Sequence, residues 1–151
     1  MKSKKLANIH EFLNEPMDKY IEQVKYNMST RNSSEDNNLR KLLVEVHNDS
    51  QLAEFVKKRR CYTWLYDPDP DNECGWYLDW GSSKDKVHFA YRQPVWGMGR
   101  GGDVIPFELY KDRFYANGTE LLDLFPDLTT SKLEKGIKNA IREDKQFKAK
   151  N

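Results

Sequence analysis

Apolar residues along this chain repeat with two different periods, and the change of period divides the chain into three parts. Between Cys61 and Tyr115 they recur mostly at every second position, which is typical of β-strands. On either side of that stretch they recur at every third or fourth position, which is typical of amphipathic helices. We therefore expect an α+β fold with N-terminal helices, a central and mostly antiparallel sheet of about four strands, and a C-terminal helix.

Three helices are predicted before the sheet. The first starts at Asn14-Glu15-Pro16, because proline is well tolerated in the first turn of a helix. Its apolar stripe consists of Met17, Tyr20, Ile21, Val24 and Met28. The second helix follows the capping residue Ser33. Its apolar stripe consists of Leu39, Leu42, Leu43 and Val46. The third is capped within residues 48–50 and ends at the basic run 57–60, whose charges complement the helix dipole.

Several segments of the central stretch alternate apolar side chains with more polar ones. The first covers residues 62–66, and the next two cover residues 76–80 and 87–92. The turn-forming residues 81–85 join the last two, which predicts a β-hairpin. We expect one further strand at residues 104–110.

The last predicted element is a C-terminal helix. Ser131 and Glu134 have the spacing of a capping box, and Glu134 forms a favourable i,i+4 pair with Lys138. Residues 1–8 and the lysine-rich residues 145–151 are expected to be loose tails. The whole chain, 1–151, is expected to form a single globular domain.

Composition and charge narrow the classes of function. The chain is 38% hydrophobic and 32% charged, which fits a small domain with a modest core and a heavily charged surface. Its 25 basic and 24 acidic residues give a net charge of +1, which argues against a general nucleic-acid coat protein. The basic start is not followed by an apolar stretch of signal-peptide length, and no segment is apolar enough to span a bilayer. We therefore expect a cytoplasmic protein.

The two cysteines, Cys61 and Cys74, are expected to remain thiols in a reducing compartment, although they could pair. The sequence contains no CxxC motif and no cluster of Cys and His at ligand spacing. No metal site and no cofactor are therefore predicted.

Two segments have the composition of a contact surface for another protein. The acidic segment (residues 67–73) carries carboxylates at alternate positions, namely Asp67, Asp69, Asp71 and Glu73. It lacks the glycine and the final glutamate of a calcium-binding EF-hand loop. The glycine segment (residues 96–102) carries large side chains among its glycines, namely Trp96, Met98 and Arg100. Trp and Arg are enriched at binding hot spots, and Met adapts to irregular surfaces.

A catalytic set is the first alternative. If Phe89 and Tyr91 face the core, the side chains expected on the outer face are those of His88, Arg92, Glu108 and Tyr110. His and Glu could serve as acid and base in metal-independent nuclease chemistry, and Arg could hold the phosphate. Solvent-facing strand positions commonly carry such residues, so the same pattern also fits an ordinary sheet surface.

Binding of single-stranded nucleic acid is the second alternative. Aromatic side chains beside the basic run 57–60 could stack on bases, as in other single-strand binders. The aromatic residues concerned are Tyr62, Trp64, Tyr66, Trp76 and Trp80. Aromatic residues in half-buried strands are, however, commonly part of a core.

The leading hypothesis is a non-enzymatic domain that binds another protein. No catalytic motif with its required spacing is present, and the acidic and glycine segments offer contact surfaces of different character. A small immunity or antidote protein that neutralises a toxin by surface complementarity fits these features. A basic toxin domain would suit the acidic segment, because opposite charges steer encounter. The sequence leaves the partner, the oligomeric state and the strand order open.

Overall fold

The computed structural model describes residues 3–14, 33–61, 63–67, 77–95 and 100–150. The fold is α+β, as the sequence predicts. Helices lie towards both ends of the chain, and the strands between them form two antiparallel sheets of three strands each. The predicted helix that starts at Pro16, with its stripe 17–28, lies outside the described residues.

The first helix, α1 (Lys4–Asn14), occupies a region predicted to be partly a loose tail. Its buried side chains follow one another at intervals of three residues, namely Leu6, Ile9 and Phe12. α1 packs against the C-terminal helix, α5 (Thr130–Lys150). The prediction of a loose tail is therefore wrong for residues 4–8, because burial of Leu6 holds this turn against the body of the protein.

The second and third predicted helices are confirmed as α2 (Ser33–His47) and α3 (Ser50–Lys58). The whole predicted stripe of α2 is buried. Asp49 lies between the two helices and caps α3, because its carboxylate accepts a hydrogen bond of 2.9 Å from the Leu52 N–H. This cap satisfies one of the backbone donors that the first turn of a helix leaves without an intrahelical acceptor.

Sheet A has the strand order β1-β2-β3, and all its neighbours are antiparallel. Its strands are β1 (Tyr77–Ser83), β2 (Lys86–Val95) and β3 (Arg100–Pro106). The predicted hairpin is confirmed as β1 and β2, joined at a turn in which Lys84 has a φ of 56°. A register shift lies between Arg92 and Pro94. Proline in a central strand is tolerated at such an irregularity, since proline cannot donate to the ladder.

Sheet B follows directly along the chain and has the order β4-β5-β6. Its strands are β4 (Glu108–Tyr110), β5 (Arg113–Ala116) and β6 (Thr119–Glu120). Phe107 lies between the sheets, is buried, and donates a hydrogen bond of 2.9 Å to the Phe89 carbonyl. The strand predicted at residues 104–110 is therefore divided here, which gives two sheets instead of one sheet of about four strands.

The strand predicted at residues 62–66 is reduced to a single bridge among its described residues, between Tyr66 and Leu78. The N–H groups of Leu65 and Tyr66 both approach the Leu78 carbonyl oxygen, at 2.9 and 3.4 Å. Two donors opposite one acceptor interrupt a regular ladder in the manner of a β-bulge. Residues 63–67 thus lie along the free edge of β1 without forming a full strand.

The short helix α4 (Leu121–Leu124) leads to α5, which begins one residue before the predicted cap. The Thr129 hydroxyl accepts a hydrogen bond of 3.2 Å from the Lys132 N–H, so Thr129 takes the capping role predicted for Ser131. α5 continues to Lys150, and the prediction of a loose tail is wrong for residues 145–150. The stretch is anchored at its start by Asp144, which is buried and accepts a hydrogen bond of 2.7 Å from the Arg60 N–H. Lys148 pairs with the same carboxylate at 3.0 Å.

The main core lies between the helices and one face of sheet A. Cross-strand neighbours point to the same face. The inner face therefore carries the buried side chains of Leu78, Trp80, Val87, Phe89 and Tyr91. α3 packs against β1 and β2, and α2 packs against β2. The outer face of sheet A carries the remaining residues of the ladder and positions the candidate site.

Candidate protein-binding site

One end of sheet A connects to both segments that the sequence predicts as contact surfaces. Tyr77, the first residue of β1, pairs with Arg92 near the end of β2, so β1 begins where β2 ends. β3 begins at the same end, since Val95 pairs with Arg100. The acidic segment precedes β1 at this end, and the glycine segment joins β2 to β3 there. We call it the loop end of sheet A.

Two of the predicted contact residues lie in the described part of the chain. Asp67 follows Tyr66, whose bridge with Leu78 places Asp67 beside the start of β1. Arg100 is the first residue of β3. From the Tyr77–Arg92 pair, β2 advances three residues to Val95, a distance of about 10 Å. The other predicted contact residues lie outside the described residues, namely Asp69, Asp71, Glu73, Trp96 and Met98.

Trp64 covers part of the outer face at the loop end. Its ring stacks on that of Tyr77, with 4.4 Å between centroids and an interplanar angle of 24°. The Arg92 guanidinium lies 5.8 Å from the centre of the Trp64 ring, a cation–π distance. Tyr77 is buried, whereas Trp64 and Arg92 are both half-buried. The Trp64 ring and the Arg92 guanidinium are therefore in contact at the loop end, and neighbouring side chains hold both in place.

A buried carboxylate supports this pair from the next position of β1. Asp79 is only 4% exposed, and its Oδ2 lies 3.3 Å from Nε of Arg92. Its Oδ1 accepts a hydrogen bond of 2.7 Å from the Trp80 N–H. A charge buried in a protein is costly unless a partner and hydrogen bonds compensate it, so Asp79 and Arg92 restrain each other.

A cleft of about 310 Å³ lies beside the loop end, between residues 63–67 and α5. Its side chains include those of Trp64, Tyr66, Asp67, Lys132, Lys135 and Asn139. Gly136 lets the two walls approach, because a Cβ there would lie only 1.7 Å from the Leu65 carbonyl oxygen. The close contact of α5 with Leu65 thus depends on glycine, and it positions the segment that carries Trp64 and Asp67.

Val104 extends the outer face towards the free edge of β3. It pairs with Arg92, which in turn pairs with Tyr77, so the three side chains form one row across sheet A. Val104 is 48% exposed. Along this row Tyr77 is covered by Trp64, Arg92 is paired with Asp79, and Val104 is exposed.

The predicted catalytic residues are distributed over two sheets. His88 and Arg92 share the outer face of β2, as the alternation predicts, but they are four residues apart, about 13 Å along the strand. Glu108 and Tyr110 belong to β4 of sheet B, and both are exposed. In the described part of the chain, no hydrogen bond or ion pair joins His88 to Glu108.

His88 has local partners of its own. Its Nε2 lies 2.8 Å from the Ser83 hydroxyl, and its ring centroid lies 5.5 Å from that of His47. His88 is exposed, yet partial desolvation of its imidazole by the surrounding protein, and to a smaller degree the neighbouring His47, lower its pKa below the ordinary value. A lowered pKa suits a proton acceptor at neutral pH. Local packing accounts for it without a catalytic role.

The aromatic set predicted to stack on bases is also divided. Trp80 belongs to the inner face, where it is buried against Phe55 and beneath the Arg59 guanidinium. Trp64 and Tyr66 are half-buried, and each already faces another aromatic ring. Tyr62 and Trp76 lie outside the described residues. No continuous stacking platform is formed by the described members of the set.

Cys61 is half-buried, and burial together with the nearby acidic residues Asp144 and Glu143 raises the pKa of its thiol. Its possible partner Cys74 lies outside the described residues. Within the part of the chain that the structure describes, no group of three or more His, Cys, Asp or Glu side chains could hold a metal ion. None of the described helices is long and apolar enough to cross a membrane.

Two of the polar residues that the fold buries were not predicted to be buried. Asp79 was expected on a polar outer face, and Glu120 was not singled out, yet both are buried. The sequence also gives no sign of the contact made by His10, whose Nε2 lies 2.7 Å from Asp49 Oδ1. One signal was present for Asp79, since it stands between apolar or aromatic residues on both sides. For Glu120 no local signal exists, because its hydrogen-bond partner Arg40 lies 80 residues away in the sequence.

Comparisons with known proteins identify no relative of this chain. No protein-family model, no curated protein and no solved structure matches the chain.

Proposed function

We propose that this protein acts by binding another protein, through a surface formed at the loop end of sheet A. The observation that carries the proposal is the common attachment of the acidic and glycine segments. The pairs Tyr77–Arg92 and Val95–Arg100 place both attachments at one end of one sheet. Segments that are separate in sequence can therefore contribute to one contact surface.

The described side chains at this end support the proposal by their chemistry. Trp64 and Arg92 are of the residue types enriched at binding hot spots, and both are held by neighbouring groups. Side chains held in place lose less conformational entropy when a partner binds. Val104 adds exposed apolar area to the same row.

The charge of the acidic segment indicates the kind of partner. Four carboxylates within seven residues would attract a basic surface and would speed its association. We propose a basic toxin domain as the partner, and a cytoplasmic immunity or antidote protein as the type of molecule. Such a protein needs no catalytic site, because it acts by covering the toxin's own site.

Paired charge-neutralised variants test the proposal. The loop variant carries Asp69→Asn, Asp71→Asn and Glu73→Gln, and the control variant carries Glu11→Gln, Asp85→Asn and Glu143→Gln. Both remove the same formal charge, and the control positions are exposed and distant in sequence from the loop end. Tagged wild-type protein and both variants are used to capture partners from nuclease-treated lysate of the native host, and association rates are then measured at several salt concentrations.

We expect a stoichiometric protein partner on the wild type and the control, with slower association and a smaller salt dependence for the loop variant. Adding Arg92→Ala to the loop variant should also increase the dissociation rate. Equal association of the loop and control variants would show that the acidic segment is not the contact. Recovery of no protein partner from the treated lysate, with nucleic acid captured only when the nuclease is omitted, would contradict the protein-binding proposal itself.

A further inference from the structure

A second cleft, of about 530 Å³, lies away from sheet A, between α2 and the turn that joins β4 to β5. Its volume is within the usual range for sites that bind small molecules. Three basic side chains line it: Arg40 and Lys41 from α2, and Arg113 from the start of β5. No part of the proposed protein-binding surface is required for the inference that follows.

The buried carboxylate of Glu120 holds two of these cations. Arg40 donates from Nε to Glu120 Oε2 at 2.7 Å, and from Nη2 to Oε1 at 3.1 Å. Nη1 of Arg113 lies 3.6 Å from the same Oε1, which is an ion pair but longer than a hydrogen bond. Such a two-point contact fixes the plane of the Arg40 guanidinium, so its orientation is set before any ligand arrives.

Some N–H donors of Arg40 and Arg113 are not used by these contacts. A guanidinium carries five N–H groups. Arg40 uses one on Nε, one on Nη2 and, towards Asn37, one on Nη1, which leaves one on each terminal nitrogen. Arg113 is 49% exposed and makes no hydrogen bond within the described residues. Lys41 is exposed as well. Several N–H donors with positive charge therefore face one open cleft.

Two carboxylates also line the cleft, and they limit the ligands that fit. Glu45 is already occupied on one oxygen, since its Oε2 accepts a hydrogen bond of 2.6 Å from the Ser3 N–H. Asp112 stands exposed beside Arg113 on the turn. A large polyanion would approach Asp112 and be repelled, whereas a compact anionic group could sit between the guanidiniums. The described charges thus favour a small ligand.

We propose that this cleft binds a small ligand through its oxyanion, a phosphate or a carboxylate group, held by Arg113, Lys41 and the remaining donors of Arg40. Glu120 is a positioning residue, because it orients the two arginines and does not face the ligand. The paired N–H donors of a guanidinium match both phosphate and carboxylate. Experiment must therefore distinguish a phosphate-bearing ligand from a carboxylate-bearing one.

The test uses the full chain with two probes, inorganic phosphate and succinate, titrated at constant ionic strength against sodium chloride. Backbone amide signals of Asp112 and Arg113 are followed by NMR. We expect a saturable shift of these signals with at least one probe. Saturation by phosphate alone assigns a phosphate-bearing ligand, and saturation by succinate alone assigns a carboxylate-bearing one. Saturation by both assigns a general oxyanion site.

Three variants sharpen the result. Arg113→Ala should weaken binding about tenfold, because it removes charged donors from the cleft. Asp112→Asn should tighten binding about threefold, since it removes the repelling carboxylate. Lys57→Ala, which removes an exposed charge from α3 outside the lining of the cleft, should leave binding unchanged. Shifts that do not saturate, or that saturate at the same probe concentration in Arg113→Ala as in the wild type, would mean an adventitious ion only and would overturn the proposal.

Discussion

Strands β1 and β4 have similar alternating sequences but opposite environments. The first four residues of β1, Tyr77 to Trp80, are all buried, whereas all three residues of β4 are exposed. The difference is in what covers them. α3 covers the inner face of β1, and Trp64 covers part of its outer face. β4 is one of the two edge strands of sheet B and, among the described residues, pairs only with β5.

The comparison shows that alternation in a sequence identifies a strand but not how many of its faces are covered. For β1, the second cover comes from residues 63–67, which Gly136 allows to lie close to α5. This cover makes a carboxylate at position 79 a buried group, whereas the carboxylate at position 108 stays in water.

The largest difference is expected for the same substitution in the two strands. Leu78 is 0% exposed and Leu109 is 36% exposed. Leu78→Ala should lower the free energy of unfolding by about 3–4 kcal/mol, because it removes buried methyl groups and leaves a cavity. Leu109→Ala should cost about 1 kcal/mol, since water can fill the space it vacates. Urea denaturation of both variants measures the difference.

Similar losses for the two leucine variants would contradict the described burial of β4. A small loss for Leu78→Ala alone would mean that the core around β1 can collapse onto the smaller side chain. The slope of the urea transition should stay at its wild-type value in both variants, because each should alter stability without changing the surface exposed on unfolding.

The second prediction compares the carboxylates of the two strands. Asp79→Asn replaces the buried carboxylate beside Arg92 and should cost about 2 kcal/mol, less than a fully buried pair would, because Arg92 is partly screened by water. Glu108→Gln, at an exposed position of β4, should change stability by less than about 0.5 kcal/mol. Thermal and urea unfolding at neutral pH measure both variants.

A double-mutant cycle with Arg92→Gln separates the ion pair from the loss of packing. If Asp79→Asn costs the same in the wild type and in the Arg92→Gln background, the two side chains do not stabilise each other. We expect the cost to fall in that background. The same cycle at high salt should give nearly the same coupling, since a buried pair is screened much less than an exposed one.

Much of the fold could be predicted from sequence because its signals are local. The stripe of α2, the cap at Asp49 and the β1–β2 hairpin depend on residues within a few positions of one another. The two loose tails were wrong for a different reason. Leu6 and Asp144 are ordered by contacts with distant residues, and a short apolar or charged stretch gives no sign of such contacts.

The candidate site, too, could be predicted only in part. Composition identified the acidic and glycine segments, but their attachment to the same end of sheet A depends on the register of β1, β2 and β3. The catalytic set required strands 88–92 and 104–110 to share one face. The break between β3 and β4 at Phe107 instead places Glu108 in a second sheet, and no periodicity in the sequence indicates that break.

The smallest effect is expected at the far end of the outer face, where His88 pairs with Gly81. The folded protein lowers the pKa of the exposed His88 below its ordinary value of 6.5, through partial desolvation first and His47 second. The unfolded chain then binds a proton more readily than the folded one. The contribution of His88 to stability is therefore fully present above pH 6.5 and is lost as the pH falls towards the folded-state pKa.

Replacing His88 tests this difference between folded and unfolded chains. As the pH is lowered from 7.5 to 5.5, the free energy of unfolding should fall less for His88→Gln than for the wild type. The difference in this free energy between variant and wild type should therefore change across that interval. Glu134 does not interfere: although its burial opposes the change, hydrogen bonds from Lys138 and Lys5 lower its pKa below 4.5, so it titrates at more acidic pH. A difference in the free energy of unfolding that stays constant with pH would show that His88 is as well hydrated as the β4 side chains. The outer face of sheet A would then be desolvated only where Trp64 covers it.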